Sequence, residues 1–135
     1  MTVVVDASVA VQWFVDEGGA SVRAARRLLL AGHDLIAPSL LLSEVQNVLW
    51  KKLRAGQVTE EQGRLVATSL NSFFVHVEPG DTLVEAAWAL AVARDHPIYD
   101  CLYVALAQRA GASLATFDKR MKRLARAADV ALEMM

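Results

Sequence analysis

The chain has 135 residues, 14 basic against 15 acidic for a net charge of −1, and 55 % hydrophobic residues. That length predicts one domain over residues 1–135, able to bury about two thirds of its unfolded surface without a disulfide or structural metal. Balanced charge excludes a bulk electrostatic binder of nucleic acid, and the lone Cys101 excludes an internal disulfide and a multi-cysteine zinc site.

Thr2–Val5 is an apolar run that predicts a strand, and Asp6 follows it directly. Ala7–Val15 and Ala20–Ala31 read as helices, the second stopped by Gly32. Leu35–Ala37 is a brief strand ended by Pro38. A long helix then runs from about Ser39 to Ala55, with Gly56 as its C-terminal cap. Thr59 and Gln62 form a capping-box pattern. Phe73–Val77 alternates as a strand, and Pro79-Gly80 marks a turn. Thr82 and Glu85 form a second box pattern, opening a helix to about Arg94. Pro97 suits the first turn of a helix that reaches Ala110 and ends at Gly111. Ser113–Thr116 is a strand, Asp118–Ala127 a helix and Val130–Leu132 an edge strand. Short apolar runs alternating with helical patterns predict an α/β fold: a central parallel sheet between two helical layers.

Strand C-termini in such a fold share one sheet edge, where α/β proteins place their sites. Asp6 ends the first strand and Asp118 follows the last. Glu44 lies early in the long helix, with Asn47 three residues on and on the same face. Asp100 lies in the first turn after Pro97, where the helix dipole favours an ionised carboxylate. A helix-starting acid alone is explained as an N-cap or first-turn charge; the conjunction of Asp6, Glu44, Asp100 and Asp118 carries the functional reading. Oxygen donors without a His or Cys ligand pattern suit Mg²⁺ or Mn²⁺. The simplest chemistry is metal-activated water attacking phosphorus. A phosphotransfer or receiver-like domain is the rival enzyme reading, drawn from Thr116 and Lys119 at strand ends; its weakness is the absence of a paired Asp-x-Asp after the first strand.

Basic residues cluster at Arg23, Arg26 and Arg27, at Lys51, Lys52 and Arg54, and from Lys119 to Arg126. Each is either a solvated helix face or a set of phosphate contacts, and Lys119 and Arg120 beside Asp118 are candidate contacts to substrate phosphate. His33, His76 and His96 share no metal-ligand spacing. Tyr99, Tyr103 and Leu106 recur at helical spacing and read as core. Cys101 also reads as core. Trp13, Phe14 and Trp50 fit either the core or an apolar groove for a partner. The longest apolar run, Ala86–Ala93, falls far short of the ~20 residues that span a bilayer. No signal-peptide pattern opens the chain, so a cytoplasmic protein is expected.

These residues, in this order, resemble the PIN-domain ribonucleases, and most of all the VapC-type toxins of toxin–antitoxin pairs. The matching segments are Val3-Val4-Val5-Asp6-Ala7-Ser8-Val9, Ala37-Pro38-Ser39 with Ser43-Glu44-Val45-Gln46-Asn47-Val48-Leu49, His96-Pro97-Ile98-Tyr99-Asp100-Cys101-Leu102-Tyr103-Val104-Ala105-Leu106-Ala107, and Leu114-Ala115-Thr116-Phe117-Asp118. The Tyr-Asp-x-x-Tyr-x-Ala-Leu-Ala stretch is the most specific. The resemblance implies a three-layer α/β/α sandwich and metal-dependent endonucleolytic cleavage of RNA. It puts metal-binding acids at Asp6, Glu44, Asp100 and Asp118, and site-lining polar groups at Ser8, Asn47 and Thr116. It also implies a homodimer neutralised by a small cognate antitoxin. The third reading is a PIN-like scaffold that binds RNA or a partner without cutting.

Overall fold

A computed structural model describes residues 1–15 and 18–135. Among the described residues four strands form one sheet: β1 (Thr2–Val5), β2 (Asp34–Pro38), β3 (His76–Glu78) and β4 (Ser113–Ala115), in the order β3-β2-β1-β4. Every pairing is parallel, with Val3 opposite Leu35 on one side and Ser113 on the other. β1 is therefore central. Val3, Val4 and Val5 are all fully buried, as expected of a strand covered on both faces.

The helices are α1 (Ala7–Ala10), α2 (Gly19–Leu30), α3 (Leu40–Arg54), α4 (Glu60–Ser69), α5 (Val84–Arg94), α6 (Ile98–Ala110) and α7 (Lys119–Ala127). One layer centres on α6, which packs on β1, β2 and β4 and against α5 and α7. The other centres on α3, which packs on β2 and against α1 and α4, with α2 beside α1. The result is a three-layer α/β/α sandwich. From Cys101 to Ala107 every residue of α6 is buried, because a helix that is apolar all round belongs between a sheet and its neighbours. Each large apolar side chain sealed there contributes about 1.5–3 kcal/mol. Gly111 ends α6 in the left-handed region at φ 60°, a conformation that costs glycine no Cβ clash.

Several elements differ from the sequence reading. The first helix gives way after Ala10 to a 3₁₀ turn, Val11–Trp13. The third strand starts at His76, because Leu70–Phe73 closes as a 3₁₀ turn on the end of α4. The Thr59 box forms: Thr59 Oγ1 accepts from the Gln62 backbone N–H at 3.1 Å, and Gln62 Oε1 accepts from Thr59 N–H at 2.7 Å. The Thr82 box does not. Thr82 sits in the 3₁₀ turn Gly80–Thr82, its hydroxyl 2.6 Å from Glu78 Oε1, and α5 starts beyond Leu83 with no side-chain cap. The C-terminal edge strand reduces to one parallel bridge between Leu114 and Leu132. Tyr99 is 61 % exposed rather than core, whereas Tyr103, Leu106 and Cys101 are buried. Trp13 is core, its indole N–H donating to Ala25 O at 2.9 Å among Phe14, Phe73 and Phe74. Trp50 is half-exposed under the Arg54 guanidinium.

Candidate active site

The register of β1 and β4 places Val5 opposite Ala115, so Asp6 and Thr116 leave the sheet side by side. Asp6 is 3 % exposed. Its Oδ1 accepts from the Ser8 hydroxyl at 2.6 Å and the Val9 N–H at 3.3 Å, which caps α1. Its Oδ2 accepts from the Thr116 hydroxyl at 2.6 Å. The two hydroxyls are themselves fixed. Ser8 Oγ accepts from Phe117 N–H at 3.0 Å, and Thr116 Oγ1 accepts from Asp118 N–H at 3.0 Å. Burial pushes the Asp6 carboxyl up from 3.8 to about 6; these hydrogen bonds oppose that, and Asp118 adds to it.

Asp118 is the N-cap of α7. Its Oδ1 accepts from Arg120 N–H at 2.8 Å and Met121 N–H at 3.4 Å. It serves as a cap and, through space, as a neighbour of Asp6.

Glu44 comes from the second turn of α3 and is half-buried. The Tyr103 hydroxyl donates to its Oε1 at 2.5 Å. Burial raises the Glu44 carboxyl; the Tyr103 bond opposes that, and Asp100 raises it further. Tyr103 is 1 % exposed. Burial first, then Glu44, then Asp6 and Asp100, push its phenol well above its usual range. Tyr103 thus stands beneath the site within the field of three of the acids. Asp100, in the first turn of α6, meets the His96 imidazole at 2.7 Å between Nε2 and Oδ2.

Sequence reasoning assigned Tyr103 to the core, and it is core; its hydroxyl duty on Glu44 spans 59 positions and has no local signature. His96 was set aside for want of a ligand pattern. Its spacing of four residues from Asp100 was the available signal. Asn47 lines a groove of about 540 Å³ beside the acids, together with Ser8, Gln12, Glu44, Lys52 and Phe117. Lys119 and Arg120 are exposed at the start of α7.

Among the described residues, the only ion pair to any of the four acids is His96 with Asp100. The donors are all carboxylate and hydroxyl oxygens, which fit a hard divalent cation. No three His, Cys, Asp or Glu side chains among the described residues form one compact metal-holding group. The acids stand as two neighbouring pairs, Asp6 with Asp118 and Glu44 with Asp100. A pair of carboxylates is the protein share that Mg²⁺ or Mn²⁺ commonly takes, with water or substrate oxygens in the remaining positions.

The PIN-domain family model matches residues 3–127. Ribonuclease VapC3 of Pyrobaculum aerophilum is 32 % identical over 90 % of this chain and 92 % of its own length. The crystal structure of Mycobacterium tuberculosis VapC20, titled a sarcin-ricin loop cleaving toxin, superimposes with a TM-score of 0.70 at 20 % identity, over 90 % of this chain and 93 % of that one. VapBC2 of Rickettsia felis, solved on a DNA fragment from its promoter, aligns over 98 % of both chains with a TM-score of 0.66 at 17 % identity. The chain belongs to the PIN-domain family and, within it, to the VapC-type ribonucleases.

Proposed function

We propose that this chain is a divalent-metal-dependent endoribonuclease, the toxin of a toxin–antitoxin pair, which hydrolyses RNA with metal-activated water. The observation that carries the reading is the approach of Asp6 to Asp118 and of Glu44 to Asp100, with Tyr103 in the field of Asp6, Glu44 and Asp100 and a single histidine as the acids' only ion-pair partner among the described residues. Such mutual repulsion is relieved by a cation. Mg²⁺ or Mn²⁺ bound there supplies a Lewis acid for the phosphate and lowers the pKa of its water. Ser8 and Thr116 hold the Asp6 carboxylate from both sides. Tyr103 fixes one oxygen of Glu44, and His96 fixes one oxygen of Asp100. Asp118 offers the oxygen that does not cap α7. Asn47, on the wall of the adjoining groove, orients the substrate, and Lys119 and Arg120 meet its phosphates.

Partner binding follows from the same surface. The Rickettsia felis structure is a toxin with its antitoxin, and this chain offers an apolar pocket for a small antitoxin between Phe14, Leu49, Leu65 and Val66. The exposed stripe of Val84, Trp88 and Val92 on α5 supports a homodimer. Among the described residues no helix is long and apolar enough to cross a membrane, and action on RNA in the cytoplasm is consistent with that. Residues 1–135 then act as one PIN-like unit.

The test is purified protein, freed of partner, on total cellular RNA with Mn²⁺, Mg²⁺ or EDTA, and with Asp100→Asn, the new ends being sequenced. Discrete cuts that need metal and vanish in the variant are expected. RNA bound but uncut in either metal would make the chain a binding scaffold instead.

A further inference from the structure

We propose that the cleft between the end of α5 and the exposed side of α7 is a phosphate subsite, which holds the RNA backbone beside the acids. The proposal rests on the ribonuclease reading above and adds the direction in which the substrate leaves the site. The cleft encloses about 360 Å³ and is lined by Arg94, Asp95, His96, Arg120, Arg123 and Leu124, with Ala127 at its end.

Two of its walls are tied to the acidic site. His96 Nε2 lies 2.7 Å from Asp100 Oδ2, and the Arg120 backbone N–H donates to Asp118 Oδ1 at 2.8 Å. A chain seated in the cleft therefore adjoins Asp100 on one side and Asp118 on the other. The third wall is fixed by Arg94, whose guanidinium crosses from α5 to donate to Ala127 O in the last turn of α7 at 2.8 Å. Arg120 and Arg123 are exposed and, among the described residues, pair with no carboxylate. Against three arginines the lining offers one acid outside the ion pair, Asp95. The lining's own charges are net positive, which favours a phosphodiester there.

The groove on the other side of the acids has a different character. Ala7, Val11, Val48 and Phe117 give it apolar walls, with amides from Gln12 and Asn47, and its one cation, Lys52, is offset by Glu44 in the same lining. That lining suits a sugar or base rather than a phosphate. The arrangement is a polarity step across the acids, base side toward α1 and α3, backbone side toward α5 and α7. An acidic protein segment is the weaker occupant, because the cleft has little apolar lining to anchor one.

The test uses Arg123→Ala and the charge reversal Arg123→Glu; Arg94 is left intact because it braces α7, and Arg120 because it already belongs to the proposed substrate contacts. Binding of a labelled single-stranded RNA is measured in EDTA across a range of salt, and cleavage in Mn²⁺ is compared on that RNA and on a dinucleotide with only the scissile phosphate. Arg123→Ala should lower the salt slope of binding by about 1. The longer RNA should lose kcat/KM several-fold in Arg123→Glu, and the dinucleotide should not. Unchanged RNA affinity and slope in the folded Arg123→Glu variant would overturn the subsite, as would an equal loss on both substrates. Loss of polyglutamate binding with RNA binding intact would overturn it in favour of a protein ligand. The binding arm needs no catalysis, so a wild-type protein that binds RNA and cuts nothing counts against the ribonuclease reading alone.

Discussion

Asp6 shows how a single carboxylate is set for use by its surroundings. It is held by two hydroxyls and a backbone N–H, yet burial still lifts it to about 6 from 3.8. A carboxyl whose folded pKa exceeds its unfolded value holds its proton more tightly when folded. Its contribution to the metal-free fold is thus greatest at low pH and is lost as pH rises from about 4 to about 6, a change on the order of 3 kcal/mol. Asp6→Asn should flatten that fall and stabilise the metal-free protein above the window; melting curves across pH check this, and an unchanged pH profile would contradict it. Tyr103→Phe removes the donor to Glu44 Oε1 and little volume. It should cost about 1 kcal/mol and weaken Mn²⁺ binding, read by denaturant titration and calorimetry; full metal affinity would make Tyr103 a packing residue only. The acids stood out in the sequence as candidates because Asp6 ends an apolar run, Asp100 and Asp118 open helices and Glu44 lies early in a long one. Tyr103 was not legible as a partner, since a buried phenol reads as core, and His96 was legible only through its spacing of four residues from Asp100.

The elements deliver these residues by simple rules. β1 ends at Val5 opposite Ala115, and each strand then hands its next polar residue to the site: Asp6 from one, Thr116 from the other. Asp118 caps α7 with one carboxylate oxygen only, which leaves the other for the proposed site. Caps were readable where the box residues alone decide, as at Thr59. At Thr82 the competing Glu78 carboxylate, a tertiary neighbour of Arg109 as well, captured the hydroxyl. The third strand shifted because Phe73 and Phe74 pack with Trp13 rather than joining the sheet. Thr59→Ala should cost about 1 kcal/mol through loss of the α4 cap while leaving RNA cleavage unchanged. A melting temperature equal to the wild type's would show that α4 is held by packing alone.

At the scale of the molecule, the parallel sandwich explains why residues so far apart in the chain, 6 with 118 and 44 with 100, become neighbours. A parallel sheet points every strand's C-terminal end to one edge, and α3 and α6 start there. The fold class was readable from alternating apolar runs and helical patterns. The order β3-β2-β1-β4 was not, because strand neighbours are chosen by packing across the whole chain. The same layout gives the site unlike flanks, an apolar groove on one side and an arginine-lined cleft on the other. The central claim is that these acids share a divalent cation. Calorimetric titration of Mn²⁺ into the wild type, Asp6→Asn and Asp100→Asn tests it most directly. The account predicts saturable binding by the wild type and a loss of more than about 10-fold in affinity for each variant. Wild-type affinity in both variants, or no binding to the wild-type protein, would contradict it.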